Sequence, residues 1–290
     1  MRHHVTGLIG RGIGESRSPR IHESEAAAHG VPLAYRLVDF TALGRPDDDL
    51  AGMVRLLAGI GFSGCNITFP FKQAVLPMCD DLSEAANALG AVNTLTFQNG
   101  TIRGENTDWV GFAWLIEREV GSVDGATIAQ VGAGGAGSAT AYALARLGAR
   151  NVVLFDPQPG RAAQLAARLA PHFPACAFTP AETAEAAITG AGGVVNATPV
   201  GMSSVPGVPF DPALMSPSQW LADIIYFPLE TQLLAAARRN GQRVANGVSM
   251  VIGQAAEALR LITGITPDRE RMLARLETEI AAERAGAKAA

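Results

Sequence analysis

The chain has 290 residues, 48% of them hydrophobic, and a formal net charge of −4 at pH 7. This length and composition permit two domains with sizeable cores. The slightly acidic balance, with no basic stripe, argues against nucleic acid and anionic membrane surfaces as main partners. Three widely spaced cysteines follow no disulfide or metal-binding pattern, so we predict a reducing, cytoplasmic compartment and no metal. The first residues lack a signal-peptide core and no apolar run reaches membrane-spanning length, so we expect no membrane partner.

The N-terminal part of the chain predicts an α/β arrangement. A buried strand over residues 5–9 leads into a glycine loop, and a helix follows over about residues 19–29. Ser18 precedes Pro19, which favours Ser18 as the N-cap of this helix with proline at its first position. Ser16 has no such role in this interpretation, so its hydroxyl is available to a ligand.

The next segment carries a candidate catalytic residue, Lys72. We predict a strand over residues 34–40, a helix over 47–58, a strand over 62–68 and then a short helix that begins at Pro70. A lysine in the first turn of a helix opposes the helix dipole. An exposed surface lysine explains the position equally well, and a role in proton transfer is the functional alternative.

Asn99-Gly100 is the strongest turn signal in this region. It predicts a hairpin between strands over residues 91–97 and 101–105. The polar residue Asn93 interrupts the first of these strands, which is otherwise largely apolar.

Two helices of this region have N-cap signals. Ser83 precedes a helix that ends at Gly90, and Asp108 stands just before a helix predicted over residues 109–119. An N-cap is an adequate explanation for a serine or an aspartate at such a position. By itself, therefore, the position of Asp108 does not require a catalytic role.

The glycine-rich stretch after an apolar strand over residues 127–131 organises the chain. Its spacing, Gly132, Gly134 and Gly137, lies between a strand and a helix and predicts a dinucleotide site. The first glycine permits a tight turn, the second lets a pyrophosphate approach, and the third lets the helix pack closely. The helix N-terminus adds free N–H groups. A glycine-rich turn without a nucleotide is the alternative, but Asp156 at the end of the next strand favours the cofactor.

From the glycine loop onward, strands and helices alternate, which predicts a parallel, doubly wound sheet. Two C-terminal helices, over residues 249–263 and 268–287, are expected to pack back on the first part of the chain, so that two lobes flank a cleft. Polar stretches follow predicted strands at residues 66–72, 106–108 and 196–202. Ligands of open α/β sheets bind at such strand ends.

Together these motifs resemble those of the shikimate dehydrogenase family over nearly the whole chain. The matching stretches are Ser16-Arg17-Ser18-Pro19, residues 66–72, residues 90–94, residues 104–108 with Gly111, residues 132–137, Asn196-Ala197-Thr198, and Asn246-Gly247 to Gln254-Ala255. Within the family, the chain is most similar to the NAD-linked quinate/shikimate dehydrogenases.

The resemblance implies an α/β fold of two domains. An N-terminal substrate domain over residues 1–108 would be completed by residues 247–290, and a Rossmann domain would occupy residues 109–246. The implied reaction is the reversible oxidation of shikimate to 3-dehydroshikimate, or of quinate to 3-dehydroquinate. The implied partner is therefore a small cyclic hydroxy acid.

The resemblance also implies residue roles. Ser16 and Ser18 would hold the substrate carboxylate. Lys72 would take the proton of the reacting hydroxyl, and Asp108 would orient that hydroxyl. The other implied substrate residues are Thr68, Asn93 and Gln254, with Tyr226 nearby. The cofactor residues are Gly132, Gly134, Gly135, Ala136, Gly137, Asp156, Asn196 and Thr198.

The type of cofactor is predicted from a stretch in which this chain differs from the NADP-linked members of the family. NADP-linked members usually carry Asn-Arg-Thr after the second Rossmann strand, whereas this chain has Asp156-Pro157-Gln158. A carboxylate there accepts hydrogen bonds from the ribose hydroxyls and repels a 2′-phosphate, which predicts NAD rather than NADP. Pro199-Val200 also replaces small polar residues of many NADP-linked members. Some quinate-using relatives carry threonine where this chain has Ser18, so the substrate preference stays open.

Two other classes of protein remain at this stage. One is a nucleotide-sensing regulator that kept the fold without activity, and the presence of both Lys72 and Asp108 argues against it. The other is a different two-domain NAD(P) enzyme, such as a methylene-tetrahydrofolate dehydrogenase or an aminoshikimate-type enzyme. A folate enzyme would not need the Ser-x-Ser-Pro site. A homodimer and the choice between a biosynthetic and a catabolic role are also left open.

Overall fold

The computed structural model describes residues 3–289, and the side chains of its last helix as far as Glu283. The described residues form two compact units. The first unit holds the chain up to Thr107 and again from Gln254 onward, and the second unit is Asp108–Gly253.

The first unit is built on a mixed sheet of six strands. The strands are β1 (His4–Gly10), β2 (Leu33–Asp39), β3 (Gly64–Ile67), β4 (Asp81–Leu82), β5 (Thr94–Gln98) and β6 (Thr101–Glu105). Their order is β2-β1-β3-β5-β6-β4, with β1 parallel to β2 and β3, and β5 antiparallel to β3 and β6. Strands β1, β2, β3 and β6 therefore end at the same edge, where β5 begins.

The second unit contains a six-stranded parallel sheet. Its strands are β7 (Thr127–Val131), β8 (Asn151–Phe155), β9 (Ala177–Pro180), β10 (Gly193–Asn196), β11 (Trp220–Asp223) and β12 (Val244–Asn246). The order is β12-β11-β10-β7-β8-β9, with every pair parallel. Numbered one to six within the unit and read from the β9 edge, this is the 3-2-1-4-5-6 order of a dinucleotide-binding sheet. The predicted α/β class with a doubly wound sheet is confirmed.

Helices flank both sheets. Within residues 3–289 they are α1 (Ser18–Ala28), α2 (Leu50–Gly59), α3 (Glu84–Leu89), α4 (Asp108–Glu119), α5 (Gly135–Arg146), α6 (Arg161–Leu169), α7 (Ala184–Ile188), α8 (Gln232–Arg239), α9 (Val248–Thr263) and α10 (Arg269–Ala289). In the first unit α10 packs against α1, where the buried Glu25 accepts hydrogen bonds from Arg271 and from the N–H of Asp268. No helix within the described range is both long and apolar enough to cross a membrane.

Local signals predicted most of these elements well. Asn99 and Gly100 have φ angles of 52° and 78° between β5 and β6, the left-handed pair that a tight hairpin needs. Ser83 caps α3 by accepting the N–H of Ala86. Strand β9 and helix α7 are absent from the prediction, because β9 is a short edge strand with mostly exposed residues and no apolar alternation.

Candidate active site

Predicted substrate residues lie at one edge of the first unit's sheet. Thr68 follows β3, and its N–H donates to the carbonyl of Ile9 near the end of β1 (3.0 Å). The carbonyl of Lys72 accepts from the N–H of Val92 (2.8 Å), which places the Lys72 backbone beside the segment that carries Asn93. The edge where β1, β3 and β6 end thus brings these residues into one region of the unit.

Ser16 and Ser18 follow the loop after β1, but with roles opposite to those predicted. Helix α1 begins at Ser18, after an Arg17 N-cap that makes no side-chain capping bond. The Ser16 hydroxyl accepts the N–H of Ser18 (3.3 Å) and donates to the Ser18 hydroxyl oxygen (3.1 Å). The N-cap prediction for Ser18 is wrong, because the Ser16 N–H closes a turn onto Ile13 (2.9 Å) and the helix starts earlier. The Ser18 hydroxyl is therefore the one without a duty at the helix start.

The loop that leads to the serines is held by a buried carboxylate. Asp39, the last residue of β2, accepts the N–H groups of Gly12 and Thr41 on Oδ1 and that of Ile13 on Oδ2, each at 2.9 Å. Burial opposes its charge, but these donors and the N–H of Ala42 outweigh burial and hold the pKa of Asp39 below its usual value. The ionised carboxylate therefore keeps the loop in one conformation.

Asn93 is the centre of a hydrogen-bond cluster at the same edge. Its Oδ1 accepts from the N–H of Thr107 (2.7 Å) and from the hydroxyl of Thr94 (3.1 Å). Its Nδ2 donates to the Thr107 hydroxyl (3.0 Å) and to Oε1 of Gln254 (3.4 Å). The structure thus brings two predicted ring-hydroxyl residues, Asn93 and Gln254, into direct contact. The Thr68 side chain is partly buried and makes no hydrogen bond within the described residues.

The predicted helix at Pro70 is wrong. Residues 69–75 form a series of turns with a single helix-like N–H···O bond, Phe71–Val75 (3.0 Å). An α-helix does not continue from it, because the N–H of Leu76 donates to the carbonyl of Gln73 (3.2 Å) and not to that of Lys72. Pro77 then has no N–H to donate. Lys72 is partly buried in these turns. The argument that Lys72 opposes a helix dipole therefore does not apply.

Two of the predicted catalytic and substrate residues, Asp108 and Tyr226, belong to the second unit. Asp108 is its first residue and the first residue of α4, and its side chain is 7% exposed. It directly follows Thr107, whose N–H is bonded to Asn93. Tyr226 follows β11 and is 51% exposed. The roles of Asp108 in catalysis and of Tyr226 near the substrate remain predictions.

The glycines after β7 have distinct local environments. Gly132 has a φ of 106°, and an added Cβ would lie 2.6 Å from the backbone of Ala197. An added Cβ at Gly137 would lie 2.2 Å from the carbonyl oxygen of Gly132, so glycine permits the close helix–strand packing. Gly134 and Gly135 face open space, with nothing within 4 Å of an added Cβ. The backbone of this loop is therefore accessible to a large ligand.

Hydrogen bonds from a buried side chain also hold the backbone of the glycine loop in place. The buried Gln130 donates through Nε2 to the carbonyls of Gly132 (2.9 Å) and Gly137 (2.8 Å), and Thr140 donates to its Oε1 (2.8 Å). Helix α5 begins at Gly135 without a side-chain cap, and Gly135 and Ala136 are exposed. Its first N–H groups can bind the anionic oxygens of a pyrophosphate, so the residues present fit a dinucleotide.

Asp156 follows β8 directly and is partly exposed. Its Oδ2 accepts the N–H of Ala133 in the glycine loop (2.8 Å), and its Oδ1 accepts the N–H of Gln158 (2.9 Å). Each carboxylate oxygen retains a further lone pair that can accept a ribose hydroxyl. Pro157 and Gln158 are exposed and carry no charge, and the exposed Arg161 begins α6.

Asn196 and Thr198 shape the loop after β10. Oδ1 of Asn196 accepts the N–H (3.0 Å) and the hydroxyl (2.8 Å) of Thr198, and Thr198 in turn accepts the N–H of Val200 (3.1 Å). Nδ2 of Asn196 donates to Oδ1 of Asp223 (3.0 Å). Both side chains thus hold the loop backbone in place, and direct contact of either with a cofactor stays a prediction.

Asp223 is a buried carboxyl at the end of β11. Besides Asn196, it accepts the hydroxyl of Thr231 on Oδ2 (2.7 Å) and the N–H of Ile225 on Oδ1 (3.2 Å). Burial outweighs these donors and raises the pKa of Asp223 to about 6. Asp223 therefore ties the loop after β10 to the start of α8, which Thr231 caps.

Three side chains with such supporting roles escaped prediction from the sequence: Asp39, Asp223 and Tyr35, whose hydroxyl donates to Oδ1 of Asn66 (2.9 Å). The hydrogen-bond partners of these side chains lie on other elements of the fold. One signal was available for Asp39. Like Asp156, it stands at the end of a strand that follows a strand, a glycine-containing loop and a helix.

Comparisons with known proteins match the chain to one family. The profile described as the shikimate dehydrogenase substrate binding domain matches residues 8–95, and that of the shikimate 5′-dehydrogenase C-terminal domain matches residues 247–277. A shikimate dehydrogenase (NADP(+)) of Streptomyces avermitilis is 45% identical over 93% of this chain and 94% of its own length. A quinate/shikimate dehydrogenase (NAD(+)) of Corynebacterium efficiens is 44% identical over 93% of this chain and 96% of its own length.

Solved structures agree over the same range. The quinate dehydrogenase of Corynebacterium glutamicum in complex with NAD has a TM-score of 0.88 and 40% identity, covering 95% of this chain and 99% of that one. The shikimate 5-dehydrogenase of Thermus thermophilus, in complex with NADP(H) and shikimate, has a TM-score of 0.83 and 31% identity, covering 93% and 97%. The resemblance found in the sequence motifs is confirmed, and the chain belongs to the shikimate dehydrogenase family.

Proposed function

We propose that this protein is an NAD-dependent dehydrogenase that reversibly oxidises a ring hydroxyl of shikimate or quinate, giving 3-dehydroshikimate or 3-dehydroquinate. The observation that carries the proposal is the polar edge of the first unit, where serine, threonine, asparagine and glutamine side chains gather. A cyclic acid with several hydroxyls requires such a set of donors and acceptors. Relatives named for both substrates support the same chemistry.

The serine pair suits the carboxylate of the substrate. The Ser16 hydroxyl donates to the Ser18 hydroxyl oxygen in this structure (3.1 Å), and each of the two hydroxyls can turn about its Cβ–Oγ bond to donate to a carboxylate. Hydrogen bonds to a charged acceptor are stronger than those between neutral groups. Thr68, Asn93 and Gln254 then remain for the ring hydroxyls.

Lys72 suits the proton transfer for a reason of residue chemistry. It is one of two lysines in a chain whose 23 basic residues are otherwise arginines. An arginine stays protonated in proteins, whereas a lysine can release and take up a proton. We assign Lys72 to accept the proton of the reacting hydroxyl as the carbonyl forms and to return it in the reverse direction. Asp108 orients that hydroxyl.

The cofactor supplies the hydride chemistry, since a bound nicotinamide accepts hydride from the carbinol carbon. The glycine loop and the first N–H groups of α5 would hold its pyrophosphate. The partly exposed carboxylate of Asp156 favours the two ribose hydroxyls of NAD and disfavours a 2′-phosphate. Relatives named for NAD(+) and for NADP(+) both match this chain, so the local residues at 156–158 carry the proposed preference.

The direct experiment is a spectrophotometric assay of purified protein with shikimate and with quinate, each with NAD and with NADP. Reduction of NAD in the presence of at least one acid is the expected result. Reduction with neither acid would overturn the proposed function, and higher kcat/KM with NADP would overturn the proposed cofactor preference. The cytoplasmic location and the lack of nucleic acid and membrane partners also stay predictions.

A further inference from the structure

In the second unit, one arginine of helix α6 reaches the start of helix α5. Nη2 of Arg168, near the end of α6, donates to Oγ of Ser138 in α5 (2.8 Å). Ser138 is 4% exposed and follows Gly135, the first residue of α5, by about 4.5 Å along the helix axis. The contact therefore lies within one helical turn of the N–H groups that would hold the pyrophosphate.

The direction of both hydrogen bonds at the Ser138 hydroxyl is determined. A guanidinium group has only donors, so the Ser138 oxygen must accept from Arg168. The single hydroxyl proton of Ser138 then points to the carbonyl of Gly134 (2.9 Å), which also accepts the N–H of Ser138 (2.8 Å). Because a charged donor polarises the hydroxyl that it meets, the bond from Ser138 to Gly134 is strengthened.

The carbonyl of Gly134 belongs to the peptide group that carries the N–H of Gly135. This peptide is trans, since the cis peptides of the described residues both precede proline. In a planar trans peptide the C=O and N–H bonds point in opposite directions. With the carbonyl turned into α5, the N–H of Gly135 points out of the helix start, where nothing lies within 4 Å of a Cβ added at Gly134 or Gly135. The bonds at Ser138 therefore fix a donor that faces open space.

Other side chains hold the neighbouring peptide groups of the glycine loop. Gln130 donates to two carbonyls of the loop, and Asp156 accepts the N–H of Ala133. The peptide that follows Gly134 receives its side-chain hydrogen bond from Ser138. The support of this peptide thus depends on a different pair of helices from the support of its neighbours.

The charge of Arg168 is directed at Ser138. Among the described side chains, Ser138 is its hydrogen-bond partner, and no carboxylate forms an ion pair with it. The contact removes part of the guanidinium from water, which lowers the pKa of Arg168. Arginine nevertheless stays protonated in proteins. A full positive charge therefore stands against the Ser138 hydroxyl.

We propose that Arg168 is a positioning residue for the pyrophosphate of the cofactor, and that it acts through the Ser138 hydroxyl on the peptide between Gly134 and Gly135. The inference rests on the proposed function, because the orientation of this peptide matters only when the glycine loop holds a dinucleotide. A Gly135 N–H that is already oriented can meet a phosphate oxygen without a further loss of conformational freedom. Without Arg168, Ser138 loses the charged donor that strengthens its bond to Gly134.

The test is the variant Arg168→Met, which keeps an unbranched side chain and removes the donor. Loss of this hydrogen bond should raise the dissociation constant of NADH, measured by fluorescence, by about 3- to 10-fold. Calorimetric titration with ADP-ribose, which carries the same pyrophosphate without a nicotinamide, should show the same factor. KM for shikimate or quinate at saturating cofactor should stay at the wild-type value.

Two further measurements show whether Arg168 acts through Ser138. Ser138→Ala alone should raise both dissociation constants at least as much as Arg168→Met does. In the Ser138→Ala background, Arg168→Met should add less than about 2-fold, because the group through which it acts is already absent. The effect of Arg168→Met should also persist in about 0.5 M salt, since salt screens a contact hydrogen bond far less than an exposed charge that acts through solvent.

Two variants serve as matched controls. Arg168→Lys keeps a charged donor, and a single hydrogen bond does not need the guanidinium fork, so the dissociation constants should stay within about 2-fold of the wild type. Arg150→Met removes an exposed arginine just before β8, at the edge of the sheet opposite to the glycine loop. It should leave both dissociation constants unchanged.

The outcomes separate this inference from the proposed function. Wild-type protein that binds neither NADH nor ADP-ribose would overturn both. Wild-type protein that binds them, with unchanged dissociation constants in Arg168→Met, would overturn the inference alone. Full multiplicative effects in the Ser138→Ala background, or an effect that disappears at high salt, would mean that Arg168 acts through space and would also overturn it. An equal rise in KM for the acid would mean a general structural effect, with the same consequence.

Discussion

In both units a strand runs into a glycine-containing loop and a helix, and the strand that follows ends at an aspartate which bonds to that loop. In the first unit the aspartate is Asp39, which accepts the N–H groups of Gly12 and Ile13. In the second unit it is Asp156, which accepts the N–H of Ala133. The local topology is the same, since β1 is parallel to β2 and β7 to β8.

The two aspartates differ in what they leave available. Asp39 is 8% exposed, and its oxygens already accept three backbone N–H groups at 2.9 Å. Asp156 is partly exposed and accepts two. Asp39 therefore serves only to hold its loop, whereas Asp156 holds its loop and can still meet a ribose.

The helices that follow the two loops also differ in the groups that they leave available to a ligand. Helix α5 starts with Gly135 and Ala136, which expose backbone N–H groups. Helix α1 starts at Ser18, with the Ser16 hydroxyl beside it. A bare backbone suits the spread charge of a pyrophosphate, and side-chain hydroxyls suit a smaller carboxylate. Under the proposed function, one local geometry would serve two kinds of anion, and the residues at the helix start would determine which one.

The largest effect is expected for variants of the two residues that are assigned to proton transfer. Lys72→Ala and Asp108→Ala should each lower kcat by roughly 10²- to 10⁴-fold, as expected for loss of a general acid–base group. Lys72→Arg should fail similarly, because it keeps the charge but cannot release a proton. The dissociation constant of NADH, measured by fluorescence, should not change in the lysine variants. Near-wild-type kcat in a folded variant would refute the assigned role of that residue.

The next effect tests the hydroxyls at the start of α1. Ser18→Ala should raise KM for shikimate or quinate by about 10- to 150-fold, the equivalent of a lost hydrogen bond to a charged group. Ser16→Ala should raise KM as well and also lower Tm, because its oxygen accepts the N–H of Ser18. An unchanged KM in Ser18→Ala would show that this helix start does not bind the acid.

An effect of comparable size is expected at Asp156, and it tests the glycine loop of the second unit. Wild-type protein should prefer NAD over NADP in kcat/KM by about tenfold or more, because NADP loses a hydrogen bond and meets a fixed negative charge. The double variant Asp156→Asn, Pro157→Arg should move the preference toward NADP. Arg161 is the nearest arginine along the chain, so Arg161→Ala is the matched control and should leave the preference unaltered. Better use of NADP by the wild type would contradict the role of Asp156.

The smallest expected effect is an opposite pH dependence of stability in the two units. Burial lowers the pKa of His22 in the first unit to about 4, so the stability it contributes is present above about pH 6.5 and is lost as pH falls toward 4. Burial raises the pKa of Asp223 in the second unit to about 6, so its contribution is present below about pH 3.8 and is lost as pH rises through 6. Each slope is at most about 1.4 kcal/mol per pH unit.

Thermal unfolding of variants between pH 4 and 8 measures these slopes. Relative to wild type, the Tm of Asp223→Asn should rise as pH increases from 4 to 6, because the variant carries no buried charge. Relative to wild type, the Tm of His22→Gln should rise as pH decreases from 6.5 to 4. Parallel Tm curves for a variant and the wild type would show that the corresponding group does not titrate differently in the folded and unfolded chains.

Much of the fold and part of the site could be predicted from the sequence. The spacing of Gly132, Gly134 and Gly137 predicted the loop, and the structure gives each a distinct backbone environment. The Asn99-Gly100 pair predicted its hairpin, and apolar periodicity predicted α10 with its buried Met272, Leu273 and Leu276. These features depend on local backbone geometry and on residues within a few positions of one another.

Only the tertiary structure decided which side chains hold the loops of the candidate site in place. Tyr35 meets Asn66, Asp39 meets Gly12, and Asp223 meets Asn196 across distances of 27 to 31 residues in sequence. Ser16, not Ser18, holds the helix start, because Asp39 and a turn onto Ile13 set where the loop ends. A polar side chain in a strand or loop has the same local signal whether it faces solvent or a buried partner. Only the packing of distant elements determines which groups it meets, and therefore what it does.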